Sequence, residues 1–312
     1  MNNNLWLWAV SAILSLLLAP LVPGIINRVK AFFAGRRGPS PFQLYYDIAK
    51  LLRKGSVYSS TSTWVLRMTP MVSLTALMVC VLLMPFGRAA SPLAFFGDIL
   101  LFIYLLALMR VAGVLAALDT GSSFEGMGGS REMQFSALAE GAFFAVVGFM
   151  IVISGNFSMS QMLSGITSVS WCSGGAAVVL VAFAFFLVML LEACRVPFDD
   201  PETHLELTMI HEAMILDYGG PDLAMIFYSA ALKMWLLASF LVMLVLPEMA
   251  FSGWLGAVIY FAAVFVVAII VGVIESVMAR YRFLKVPQLI NGALCAALIA
   301  IIFMILFGGV AR

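Results

Sequence analysis

Charge is what this chain is short of. Only 11% of its 312 residues are charged while 63% are hydrophobic, and the mean hydropathy is +1.09. Soluble domains carry roughly 25% charged residues, so a soluble fold is excluded and residues 1–312 read as one integral membrane unit, all-α and polytopic. A formal net charge of +1, with no bases interleaved with aromatics, excludes a nucleic-acid footprint. Cysteine is scarce as well. Cys80, Cys172, Cys194 and Cys295 are scattered with no CxxC pair, so no metal site, iron–sulfur cluster or other cofactor is expected in this chain. No internal repeat is present. The first segment, from Leu5, lacks a basic leader and is too long for a signal peptide, so it reads as a retained span.

Long apolar runs are abundant. A span needs ~20 mainly apolar residues, and eight stretches qualify: about 5–26, 64–86, 93–118, 133–154, 174–194, 224–247, 254–279 and 288–308. Lysine and arginine set the orientation. The odd-numbered loops hold Arg28, Lys30, Arg36, Arg37, Lys50, Arg53, Lys54, Arg131, Arg195, Arg280, Arg282 and Lys285, against Arg88 and Arg312 on the other side. Those loops are therefore expected in the cytoplasm, with both termini on the non-cytoplasmic side. Between the first two spans, residues 42–54 place Leu44, Tyr45, Ile48, Leu51 and Leu52 on one helical face and Asp47, Lys50, Arg53 and Lys54 on the other. This is an interfacial amphipathic helix, either a membrane anchor or a dock for a soluble partner.

Six charged residues are singled out inside the spans: Asp98, Arg110, Glu140, Glu192, Lys233 and Glu275. Each costs at least ~2.5–3.5 kcal/mol near the bilayer centre, which makes each a functional candidate by default. The bland alternative is a packing or snorkelling role near a helix end, and for Glu192 the two readings are evenly matched. Counting from the helix ends at ~1.5 Å per residue, Glu140 and Lys233 lie about 10–14 Å in from the cytoplasmic side. All but Asp98 favour that half. A line of carboxylates with a lysine can relay protons, and this one stops short of the far face, as a half-channel.

The segment 192–222 gathers half of the acidic residues and both histidines. Asp200 followed by Pro201 is a helix start, which predicts an acidic cytoplasmic helix over about 201–217, closed by Gly219, Gly220 and Pro221. Its Leu and Met content argues for docking against the bundle or a partner rather than for a free acidic loop. Its carboxylates, Glu202 and Glu206, would line a protonatable inlet, with His204 and His211 as candidate pH switches near neutrality. The run "HEAMI" at 211 lacks the second His of a zinc protease. The Gly-rich "GMGGSRE" (126–132) joins two membrane helices rather than a strand to a helix, which rules against a phosphate loop.

Three segments carry a family resemblance. "GRRGPSPFQLYYDIAKLLRKG" resembles the R-x-GP…Q…D-x-x-K-L segment of the membrane subunit that anchors the peripheral arm of respiratory complex I. "LDTGSSFEGMGGSRE" and "EACRVPFDDPETHLEL" resemble the same subunit in membrane-bound group 4 [NiFe] hydrogenases and formate hydrogenlyases. His204 stands where complex I members carry the second Glu of E-A-E, and the hydrogenase branch is favoured.

The resemblance implies an eight-helix fold, without a redox centre or catalytic residue of its own, in a bacterial or archaeal cytoplasmic (inner) membrane. It implies soluble [NiFe] hydrogenase-like large and small subunits and an iron–sulfur subunit as partners, carrying the NiFe centre and clusters, alongside antiporter-like membrane subunits and lipid. Carried over by position, Glu140, Glu192, Asp199, Glu202 and Glu206 match the family's acidic inlet and proton chain, to which the buried-charge reading adds Lys233 and Glu275. Arg36 and Arg37 match its partner-facing loop, and Asp47 and Lys50 of the amphipathic helix join them as docking candidates.

The leading expectation is thus a non-catalytic anchor that couples a redox arm to proton or sodium movement. The alternative is a quinone-site subunit of a complex I-type NADH:quinone oxidoreductase, although the departures from the complex I pattern weigh against quinone. A stand-alone secondary transporter, from another functional class, is the third; such proteins often show internal repeats and broken midplane helices.

Overall fold

The computed structural model describes residues 2–87, 89–166, 168–199, 209–247 and 253–307. Twelve α-helices succeed one another among them: α1 (Asn2–Leu18), α2 (Leu21–Phe33), α3 (Gln43–Leu51), α4 (Trp64–Leu83), α5 (Asp98–Asp119), α6 (Ser123–Ser154), α7 (Met159–Ser164), α8 (Ser168–Glu192), α9 (His211–Met214), α10 (Gly220–Val245), α11 (Gly253–Val277) and α12 (Val286–Phe307). Seven are long and apolar enough to cross a membrane, and the bent pair α1–α2 makes eight. The all-α polytopic expectation holds.

The first span is broken, not continuous: α1 and α2 meet at 47°. Pro20 has no N–H for the carbonyl of Leu16, and a chain that turns there also strips Leu17 of its partner. Two tyrosines repair the gap. Tyr228 Oη donates to the Leu16 carbonyl at 3.0 Å, and Tyr45 Oη donates to that of Leu17. Pro70, inside α4, orphans the carbonyl of Leu66 in the same way, and Tyr218 Oη donates to it at 3.0 Å. In a bilayer no water serves such groups, so side chains from neighbouring elements must.

α10 is the hub. Of its most apolar stretch, 83% is buried inside the bundle, against 33% for α11 and 28% for α12. It is apolar all round because it is surrounded, whereas α11 and α12 turn bare faces outward. Where α11 crosses α2, a Cβ on Gly272 would come within 2.8 Å of Val29 Cβ, the close approach that small residues permit between membrane helices.

Two boundaries differ from expectation. α6 begins at Ser123, ten residues before the apolar run expected from 133, so the Gly-rich segment is helical and not a loop. Its glycines are a packing face: a Cβ on Gly128 would lie 2.8 Å from the Ile210 carbonyl oxygen. The predicted helix over 201–217 is the second correction. Residues 201–208 lie outside the described residues, and within 209–217 only His211–Met214 is helical. The N–H groups of Ile210 and His211 both donate to Asp199 Oδ2, at 3.2 Å each. The helix start is thus satisfied from across the connection, by Asp199.

Candidate functional site: a paired-charge cluster beneath two linked cavities

Four helices each deliver one charge to a common point: Arg110 from α5, Glu140 from α6, Glu192 from the end of α8 and Lys233 from α10. Arg110 Nη1 meets Glu192 Oε1 at 2.6 Å, its Nη2 meets Glu140 Oε1, and Lys233 Nζ stands 2.8 Å from Glu192 Oε2. Arg110, Glu192 and Lys233 are buried. Isolated, such charges would be excluded from this depth; two cations alternating with two carboxylates make them tolerable. Glu192 bridges the cluster, with one cation on each oxygen.

A second set lies at the bundle end. The buried carboxylate of Glu275 is 3.3 Å from Lys30 Nζ and 3.5 Å from Arg195 Nη1, tying α11 to α2 and to the segment after α8. Asp199 Oδ1 is 3.4 Å from Arg280 Nη2. Together with its two backbone donors, this makes Asp199 a clamp that ties the segment after α8 to the start of α9 and to Arg280. Arg131 donates to the Met209 carbonyl at 3.0 Å and its guanidinium lies 4.7 Å from the Phe283 ring centroid; that of Arg280 is 4.9 Å from the same ring. Glu202, His204 and Glu206 fall outside the described residues.

Two cavities join the sets. One, of about 140 Å³, is walled by Pro23, Leu44, Arg195, Asp199, Phe227 and Met234, with Cys194 and His211. The other, of about 60 Å³, is walled by Arg110, Glu132, Glu192 and Lys233 and shares Ala193, Cys194, His211 and Ala230 with the first. At ~10–15 Å³ per water centre, the inner one has room for roughly four to six waters.

His211, on the shared wall, is partly buried, and its N–H is held by Asp199. Lost hydration, then the charges of Lys233 and Arg195, push its imidazole down to about 4. That value lies below the neutral range in which the sequence marks His211 as a candidate switch. Cys194 sits in the left-handed region at φ 51. Its N–H reaches the Leu191 carbonyl at 3.0 Å and that of Arg195 the Leu190 carbonyl at 2.9 Å, the paired bonds of a helix-ending turn in which glycine is usual. Burial pushes its thiol well above its ordinary value, so it stands uncharged on the wall the two cavities share.

The remaining predicted residues fall elsewhere. Asp98 is fully buried but accepts from Ser158 Oγ at 3.0 Å and from the Met159 N–H at 2.5 Å, which caps α7 and leaves it outside the cluster. Arg36 and Arg37 are exposed and rim a 410 Å³ surface hollow with Lys30 and Asn27. Asp47 is engaged by Gln43 at 3.0 Å, while Lys50 is exposed.

Sequence reasoning missed Glu132, and it did not assign Lys30, Arg195 or Arg280 to the carboxylates they serve. The spacing of Glu132 and Glu140 is a signal that was there: eight residues is just over two helical turns, so both belong to one face of α6.

Beyond the cluster the core turns aromatic. Phe102, Phe143, Phe185 and Phe240 come from the same four helices, with neighbouring ring centroids 4.8–6.4 Å apart. Phe143 is one turn deeper than Glu140, and Phe185 and Phe240 are each seven residues from Glu192 and Lys233.

Comparison with known proteins places this architecture. The chain is 32% identical to Hydrogenase-4 component C of Escherichia coli K12 over 88% of each chain. It is 29% identical to formate hydrogenlyase subunit 4 of the same organism, over 90% of this chain and 92% of that one. An NADH-quinone oxidoreductase subunit of Rhodopseudomonas palustris BisA53 shares 27% identity over 74% of this chain and 71% of its own. A chain of the archaeal membrane-bound sulfane sulfur reductase, a respiratory membrane complex, has the same fold, with a TM-score of 0.82 at 17% identity over 96% of this chain and 99% of that one. With residues 6–306 matching its model, the chain belongs to the NADH dehydrogenase family, and its resemblance to the hydrogenase branch is borne out by these relatives.

Proposed function

We infer that the protein is a membrane anchor subunit of a group 4 [NiFe] hydrogenase or formate hydrogenlyase-type complex, which seats the soluble redox arm and couples its electron transfer to proton or sodium movement. The observation that carries the coupling is that two cavities sharing the wall of Ala193, Cys194, His211 and Ala230 adjoin Asp199 on one side and the paired charges Lys233, Glu192, Arg110 and Glu140 on the other. The bundle end bearing Lys30, Arg195 and Arg280 faces the cytoplasm, by the excess of bases there, and both termini face away. The exposed Arg36, Arg37 and Lys50, with Asp47 beside them, dock the arm. Its hydrogenase-like large and small subunits and an iron–sulfur subunit supply the NiFe centre and clusters, while antiporter-like subunits and lipid cover the bare faces of α11 and α12.

Identification of the subunits that co-purify with the tagged chain tests the assignment. A large subunit with two nickel-ligating CxxC motifs is expected, and its absence overturns the hydrogenase reading. In the same complex, Glu140→Gln is expected to reduce ion transport more than turnover of the soluble arm with an artificial electron carrier. Wild-type transport in that variant removes Glu140 from the path.

A quinone-site reading draws on the apolar wall of Pro23, Leu44, Phe227 and Met234 in the outer cavity. Its volume of about 140 Å³ is well below the ~300–1,000 Å³ of small-molecule sites. Water and protons fit it better than a quinone head.

A further inference from the structure

Every carboxylate placed in the two charge sets has a fixed partner, and the inner cavity adds one that does not. Glu140 and Glu192 are held by Arg110 and Lys233, Glu275 by Lys30 and Arg195, and Asp199 by Arg280 and two backbone N–H groups. Glu132 lines the inner cavity with these groups, yet among the described residues its carboxylate has no ion pair within 4.0 Å and no hydrogen bond. It is neither sealed in nor free in solvent: its residue is partly buried, on the same side of α6 as Glu140.

Charge counting gives this isolation a meaning. Arg110 and Lys233 are already balanced by Glu192 and Glu140. Glu132, when ionised, is a third carboxylate beside two cations. Protonation of Glu140, Glu192 or Glu275 would break an ion pair, which is expensive for the buried Glu192 and Glu275; protonation of Glu132 breaks none. The charged and titratable groups that face it are Arg110 from α5, Glu192 from α8, Cys194 and Asp199 from the segment after α8, His211 from α9 and Lys233 from α10, with Arg131 and Glu140 on its own helix. Of these, Lys233 acts on it most strongly through charge.

We propose that Glu132 is the titrating residue of the cluster, a positioning residue whose charge decides how Lys233 and Arg110 are shared between Glu192 and Glu140. A proton from bulk solvent, relayed as hydronium through cavity water, leaves that water neutral as its O–H bond breaks and the O–H bond on Glu132 forms; the reverse step regenerates hydronium, and no electron moves. Ionised, Glu132 draws Lys233 away from Glu192; protonated, it releases Lys233 back. This deepens the coupling function above and rests on it only for what the rearrangement drives.

Infrared difference spectra of the full chain in lipid nanodiscs, recorded between acidic and alkaline buffer, test the proposal without hydrogenase activity. A pH-dependent carboxylic C=O band is expected in wild type and in Glu140→Gln, lost in Glu132→Gln, and kept with a shifted midpoint in Glu132→Asp. Persistence of the band in Glu132→Gln overturns it. If that variant does not fold, Glu132→Asp decides: a shifted midpoint supports the assignment and an unchanged one overturns it. Because the band is read without the complex, its outcome is separate from the transport assay on Glu140→Gln.

Discussion

Lys233 Nζ stands 2.8 Å from Glu192 Oε2, while the other oxygen of the same carboxylate is taken by Arg110. One anion thus holds two buried cations, and the arrangement is asymmetric in what its parts are worth.

Removing the anion should hurt more than removing one cation. Glu192→Gln strands Lys233 and leaves Arg110 with Glu140 alone, whereas Lys233→Met leaves Glu192 still paired with Arg110. Breaking a buried pair costs ~3–5 kcal/mol, so Glu192→Gln is expected near or above that range and Lys233→Met below it. Thermal unfolding in detergent micelles measures both. The reverse ranking would show that Lys233, not Glu192, is the keystone.

Tyr218 and Pro70 should prove coupled. Tyr218→Phe leaves the Leu66 carbonyl without a donor, at about 1–3 kcal/mol. Pro70→Ala restores the backbone N–H that Leu66 lacks, so Tyr218→Phe should cost less in that background. Additive losses in the double-mutant cycle would refute the repair role.

Stability should fall in mild acid through His211. Its folded-state value of about 4 lies below the ordinary 6.5, so the unfolded chain binds the extra proton first. The contribution is complete above about 6.5 and is lost as pH falls toward about 4. His211→Asn should flatten the unfolding-temperature profile in that window; an unchanged slope would place the acid sensitivity elsewhere.

Helix crossing at Gly272 offers a purely steric test. Gly272→Val puts side-chain carbon against Val29, prising α11 from α2 and loosening the Lys30–Glu275 pair. Overpacking of this kind typically costs about 1–3 kcal/mol, read as a lower unfolding temperature. Wild-type stability would mean the two helices slide past each other easily.

The spans were legible because bilayer thickness imposes a length and a composition that any sequence must show. The clustering of Arg110, Glu140, Glu192 and Lys233 in one half was legible too, since a rise of ~1.5 Å per residue converts position into depth. Their pairing was not: which cation meets which carboxylate depends on helix rotation and neighbour order, and neither is written in hydropathy. The segment after Asp199 misled for a different reason. Asp200 and Pro201, the local start signal, lie outside the described residues; what the sequence did not show is that Asp199 accepts from the Ile210 and His211 N–H groups, where a separate short helix begins. The break after α1 escaped because prolines are tolerated in membrane helices, and only the distant hydroxyls of Tyr45 and Tyr228 reveal where the backbone parts.

The clustered rings of Phe102, Phe143, Phe185 and Phe240 bear on energy conservation. Under the coupling function proposed above, a wet passage from one side to the other would discharge any gradient the complex builds. Four neighbouring rings, one from each helix that bears a charge, put an apolar wall of low dielectric behind Glu140 and Glu192. On that proposal, what would leave this subunit across the membrane plane is a change of field, handed sideways to a neighbour, rather than the proton itself.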